Sequence, residues 1–175
     1  IIRHAEPDYE RDSLTEKGWR EAELLSHRLA KIPDASYYVS PLGRARDTAS
    51  LTLKAVGKTA EVLPWLREFD AGYRTDSLIH PRGHGWDFLP SSWTREPMYY
   101  DPEGWIHAPA YKASGIDVVY RSVTEHFDRL LAARGYERGD HLYAAVRPNT
   151  EMSSDPMRII TLALLMSMMS SSSLT

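Results

Sequence analysis

Arginine and histidine stand side by side at positions 3 and 4, directly after the apolar pair Ile1-Ile2. A neutral imidazole is a competent nucleophile toward phosphorus, and a neighbouring guanidinium binds a phosphoryl oxygen well. Such a pair alone is ordinary surface chemistry, so its meaning depends on its setting. Ile1-Ile2 reads as the stub of a buried strand, and in open α/β sheets the functional crevice lies just beyond the strands' carboxyl ends. A second group of residues shares that setting. Tyr37-Tyr38-Val39 reads as a short strand, followed by Ser40-Pro41-Leu42-Gly43-Arg44-Ala45-Arg46-Asp47-Thr48-Ala49. Ser40 and Pro41 predict the N-cap and first position of a helix. The helix N-terminus attracts anions, and Arg44 in its first turn adds a bidentate cation.

The elements that must position these groups follow from the apolar spacing. Leu14 to Trp19 predicts a helix start, with Thr15 as N-cap, Glu16 at the positive end of the dipole and Leu14 placed to staple onto Trp19. Ala22, Leu25 and Leu29 continue its apolar face, and Pro33 lies beyond its end. The helix after Ser40 carries Ala45, Thr48, Ala49, Thr52 and Val56 on one face and closes at Gly57. Glu61-Val62-Leu63 reads as another strand. Val119, Val123, Phe127, Leu130 and Leu131 mark an amphipathic helix ending near Gly135, and His141 to Val146 reads as the strand after it. Strands alternating with helices imply one α/β layered domain with mainly parallel strands.

Residues 75 to 114 have a different texture. Pro81, Pro90, Pro97, Pro102 and Pro109 are spread among Trp86, Trp93 and Trp105, with Tyr99 and Tyr100 between them. Prolines at that density prevent a long regular element, yet the aromatics argue against disorder. This segment is expected to be an ordered insertion that covers the site.

Composition excludes several classes of function. The net charge of -3 leaves no generalised basic face for nucleic acid. With Cys 0, thiolate nucleophiles, disulfides and cysteine-based zinc sites are all excluded, and a reducing cytoplasm is allowed. The opening residues do not form a signal peptide, because charge arrives at Arg3. Ile159 to Met169 is too short for a bilayer span of roughly 20 residues and is expected to be a buried helix. His27, His80, His84, His107, His126 and His141 show no metal-ligand grouping.

Arg3-His4-Ala5-Glu6, Leu14-Thr15-Glu16-Lys17-Gly18 and the Ser40 to Ala49 stretch, taken in that order, resemble the histidine phosphatase superfamily, the phosphoglycerate-mutase-like proteins. The resemblance is close over residues 1 to 72 and rests on element order beyond them. It implies that His4 is the nucleophile, becoming a phosphohistidine, and that Arg3 and Arg44 bind the transferring phosphoryl group. It also implies that the glutamate of Leu66-Arg67-Glu68, followed by Gly72, is the proton donor. The family places a second histidine at the end of a later apolar strand. Here Val146 is followed by Arg147-Pro148-Asn149-Thr150-Glu151, and no histidine occurs after His141. The reading expects that strand to be missing, with a gap between Glu151 and Met157.

The expected fold over residues 1 to 175 is a three-layer α/β/α sandwich with a mainly parallel sheet, phosphoglycerate-mutase-like, with the Pro/Trp-rich segment as a cap. The expected function is a cytoplasmic phosphomonoester phosphatase acting through phospho-His4 on a small phosphorylated metabolite. No cofactor, metal, nucleic acid or membrane is expected. The alternatives are phosphoglycerate-mutase-type phosphoryl transfer and an inactive relative that binds a phosphorylated ligand or protein.

Overall fold

The first helix begins where Thr15 predicts it. Its hydroxyl accepts the Gly18 N–H at 3.1 Å and opens α1 (Glu16–Leu29). Ala22 and Leu29 are buried on the face that the spacing marks out, with Leu25 partly buried beside them. The computed structural model describes residues 1–32, 35–67, 95, 97–101, 104–111, 115–140, 142–146 and 158–162. They divide into two units, Ile1–Glu68 with Ala145–Thr175, and Phe69–Ala144.

In the first unit, a short antiparallel hairpin of β1 (Pro7–Asp8) and β2 (Ser13–Leu14) precedes α1. Strand β3 (Ala35–Val39) follows it, longer than the three residues expected. Ala35, Tyr37 and Val39 share one face of β3 and pack with Leu29, Ala45 and Ala49. Tyr38, on the opposite face, is also buried, as in a strand covered on both sides. Ile2 forms an isolated bridge and is partly buried against this core.

Helix α2 (Gly43–Val56) starts later than Ser40-Pro41 predict, with Leu42 at the N-cap and no side-chain cap of its own. Two hydrogen bonds explain the shift. The Ser40 hydroxyl accepts the Leu42 N–H at 3.3 Å, turning the chain locally, and the Gly43 N–H goes to the Asp12 carboxylate at 2.6 Å. The cap therefore comes from a distant residue. Ala45, Thr48, Ala49 and Thr52 are buried as expected, and Gly57 ends α2 at φ 65°.

β3 lies between β4 (Glu61–Val62) and β7 (Arg158–Leu162), with both pairings parallel. Val39 is level with Val62 on one side and Leu162 on the other. Residues 158–162 thus correct the expectation of a helix from Ile159. The second edge of β3 carries backbone groups that need partners, and the β-branched run Ile159-Ile160-Thr161 suits a strand. The expected gap, between Glu151 and Met157, lies outside the described residues. Residues 163–169 lie outside the described residues.

The second unit is built on α3 (Ile116–Ala132), which starts after Gly115 at φ 74° and buries Ile116 and Val123. Trp105 is buried edge-to-face against Tyr111 at 5.6 Å and Tyr120 at 5.1 Å, inside this unit. Trp86 and Trp93 lie outside the described residues. The strand expected from His141 to Val146 is shorter and is not part of the parallel sheet. Tyr143–Ala145, β6, pairs instead with β5 (Tyr136–Arg138). Side-chain chemistry holds it there. Arg138 Nε donates to both Asp128 oxygens, at 2.8 and 3.0 Å, and the Tyr143 hydroxyl donates to the same carboxylate on α3. Burial, and that bond to Asp128, push the Tyr143 hydroxyl up to about 12. No helix among the described residues is long and apolar enough to cross a membrane.

Gly18 is the tightest test of this packing in α1. A Cβ there would lie 2.2 Å from the Glu6 carbonyl oxygen, a backbone atom. Gly18→Ala should lower stability by about 1–3 kcal/mol through overpacking, despite the helix-propensity gain of about 1 kcal/mol. Denaturant unfolding checks this, and an equally stable variant would show that residue 6 yields at little cost.

Candidate functional site

Residues 4 to 6 lie outside every strand and are bonded to α2 on one side and to α1 and its N-cap on the other. The Ala5 N–H donates to Thr48 Oγ1 at 3.0 Å, and the same hydroxyl donates to the Arg44 carbonyl at 2.7 Å. Thr48 therefore joins the segment that carries His4 to the helix turn that carries Arg44. On the other side, the Thr15 N–H donates to the Glu6 carbonyl at 3.1 Å, and the Thr15 hydroxyl to the Glu6 carboxylate at 2.7 Å. The Glu6 N–H in turn donates to Glu21 at 2.9 Å. The Thr15 hydroxyl, aided by Lys17, holds the Glu6 carboxyl below its usual range. Both helices thus grip the segment by its backbone.

His4 is buried, and its Nδ1 lies 2.6 Å from the Ala5 carbonyl oxygen. A carbonyl can only accept, so Nδ1 carries a proton, and in the neutral ring the lone pair is then on Nε2.

Arg44 is buried in the first turn of α2. Its Nη1 donates to Asp12 Oδ1 at 2.7 Å, while the other oxygen of that carboxylate caps Gly43. The Tyr9 ring lies 5.3 Å from the Arg44 guanidinium carbon. Partial desolvation pushes the Asp12 carboxyl up, but the Gly43 amide and the Arg44 guanidinium and amide outweigh it and leave it below the usual carboxylate range. The N-terminal amide of α2 that the sequence offers to a substrate anion is taken by Asp12.

Of the four residues singled out in the sequence, the structure links His4 and Arg44 through Thr48. Arg3 is exposed beside His4. Glu68 lies outside the described residues. Sequence reasoning saw Thr48 only as part of a helix face, although a hydroxyl amid Ala45 and Ala49 was a signal. Asp12 gave no signal, because its partners are more than thirty positions away.

The Thr48 link generates a prediction. Thr48→Val keeps the volume but leaves the Ala5 N–H unpartnered, whereas Thr48→Ser keeps the hydroxyl and loses a methyl group. Valine should cost about 1–3 kcal/mol. It should also reduce any His4-dependent turnover by about 10- to 100-fold, because small misplacements of a reacting group are that costly. Serine should retain most of that turnover. Equal turnover in the two variants, measured at matched folded fraction, would refute the link.

The comparisons with known proteins agree with the motif order. The family model for the histidine phosphatase superfamily (branch 1) matches residues 1–133. Similar solved structures include a mycobacterial hydrolase, at 30% identity and TM-score 0.36 over 38% of this chain and 36% of that one. Another is a native mycobacterial glucosyl-3-phosphoglycerate phosphatase, at 29% identity and TM-score 0.35 over the same shares, 38% and 36%. The complex of that phosphatase with VO3 matches at 30% identity, TM-score 0.35, and again 38% and 36%. The matched part spans little more than a third of the length of these structures. No curated protein matches the chain. With the family match running through both helices and the segment between them, the chain belongs to the histidine phosphatase superfamily and has its phosphoglycerate-mutase-like α/β fold.

Proposed function

We propose that the chain is a phosphomonoester phosphatase that works through a phosphohistidine on His4 and acts on a small phosphorylated metabolite. The observation that supports this reading is the bond from His4 Nδ1 to the Ala5 carbonyl, which in the neutral ring puts the lone pair on Nε2, in a segment bonded to both helices. In the proposed reaction, Nε2 attacks phosphorus, the N–P bond forms and the P–O bond to the leaving alkoxide breaks. Glu68 donates a proton to that alkoxide. Water then attacks the phosphohistidine, giving up a proton to Glu68, and inorganic phosphate leaves. Arg3 and Arg44 supply the positive charge that phosphoryl transfer requires, so the mechanism needs no cofactor.

Around this chemistry we place a three-layer α/β/α sandwich with a mainly parallel sheet. Burial of Tyr37 and Tyr38 on opposite faces of β3 supports the layering. We place the protein in the cytoplasm, a compartment that the absence of cysteine allows. Phosphatase is preferred to mutase because hydrolysis is the commoner activity across the superfamily, and a mutase must in addition hold a bisphosphate and exclude water. The second reading, an inactive relative that binds a phosphorylated ligand, is favoured by one observation. The residues after β7 are Ala163-Leu164-Leu165, with no histidine.

The deciding experiment is hydrolysis of an aryl phosphate with rapid quenching for an acid-labile phosphoenzyme. The wild type should form it, and His4→Ala should lose both the adduct and several orders of magnitude in turnover. An inactive wild type that still binds inorganic phosphate would establish the second reading. Glu68→Gln should slow alkyl phosphates far more than aryl phosphates, whose leaving groups need little protonation. Equal losses on the two substrates would remove Glu68 from the acid role.

A further inference from the structure

The β1–β2 hairpin lies across the first turn of α2, and three contacts hold it there. Asp12 bridges Gly43 N–H and Arg44 Nη1, the Tyr9 ring faces the Arg44 guanidinium, and the Ser13 hydroxyl donates to Asp47 at 2.6 Å. Gly43 makes the approach possible, since a Cβ there would lie 1.9 Å from the Asp12 carbonyl oxygen. Asp12 itself adopts φ 47°, a conformation that L side chains other than Asn and Asp rarely take. The turn is therefore built around this carboxylate. The Arg44 side chain is 9% exposed, against 45% for Asp12.

A guanidinium on a flexible stem loses rotational freedom each time it binds an anion. One held at Nη1 by a carboxylate and braced on a face by a ring has already lost it. The same carboxylate cancels much of the guanidinium's charge, so its benefit lies in orientation rather than in attraction. We propose that Asp12 is a positioning residue that fixes the plane of the Arg44 guanidinium for the transferring phosphoryl group. The inference rests on the phosphatase reading, in which Arg44 meets that group. Asp12 touches no reacting atom and acts through Arg44.

Two variants separate positioning from capping. Asp12→Asn keeps an oxygen for the Gly43 N–H and loses the ion pair, and Asp12→Ala loses both. Both variants should lower kcat on an aryl phosphate by about 10- to 100-fold, the range expected for a misplaced reacting group. Only the alanine variant should show a lowered Tm. Inhibition by inorganic phosphate should not weaken in the asparagine variant, because a negative charge has been removed beside Arg44. The Arg44 Nε–Hε resonance, assigned with Arg44→Lys, should change from ordered in the wild type to motionally averaged in Asp12→Asn. Wild-type kcat in Asp12→Asn, or an unchanged Arg44 resonance, would overturn the inference while leaving the phosphatase reading intact. A rise in kcat/KM would also overturn it, by showing that Asp12 blocks the site. An inactive wild-type protein would overturn the phosphatase reading and, with it, this role in turnover.

Discussion

The backbone of residues 4 to 6 lies outside every strand and must find hydrogen-bond partners elsewhere, and the first turns and nearby residues of the first unit's two helices are arranged around that requirement. A buried N–H left unmade costs about 1–3 kcal/mol, a large fraction of a small domain's stability. Thr48 satisfies Ala5 from α2, and Thr15 and Glu21 satisfy Glu6 from α1. Satisfying this segment requires both helices to bring their N-terminal halves close to it, and α1 and α2 pack on each other while doing so.

Close approach in turn dictates residue size. Gly18 and Gly43 stand in the first turns of α1 and α2, and each would drive a Cβ into a backbone oxygen, of Glu6 and Asp12 respectively. Each helix also has a carboxylate from outside at its N-terminus. Glu6 bonds the N-cap hydroxyl of α1, and Asp12 bonds the first amide of α2. A carboxylate at a helix N-terminus is favoured by the dipole as well as by the hydrogen bond. The segment between Ala5 and Leu14 thus serves both helices, with His4 fixed at its start.

Local signals made much of this legible in the sequence. Thr15 and Gly57 carry the cap chemistry that ends a helix, and the small residues of α2 repeat at helical spacing, so both helices were readable. Arg3-His4 and Arg44 are each ordinary surface chemistry alone, and only the order of the motifs that carry them sets them apart as a candidate site. What escaped was non-local. Ser40 looked like an N-cap, but Asp12 outcompetes it from across the fold, and α2 starts later. Ile159-Ile160-Thr161 fits both a buried helix and a strand by its apolarity, and the open edge of β3 decides between them. Likewise Tyr143 pairs with Asp128 and Arg138, so β6 belongs with β5 instead of the parallel sheet.

Strand β7 also bears on how the proposed chemistry is weighed. Its register places Leu162 level with Val39, and no histidine follows it in the sequence. Losing one donor to a developing oxyanion costs about 100- to 1000-fold in turnover, whereas losing a nucleophile removes the covalent route altogether. The proposed nucleophile keeps its Nδ1 contact with the Ala5 carbonyl, and the proposed phosphate ligand Arg44 its ion pair with Asp12. In the proposed mechanism a missing donor therefore makes a slower phosphatase before it makes an inactive one, and Arg3 and Arg44 would carry the charge stabilisation that a third group would share.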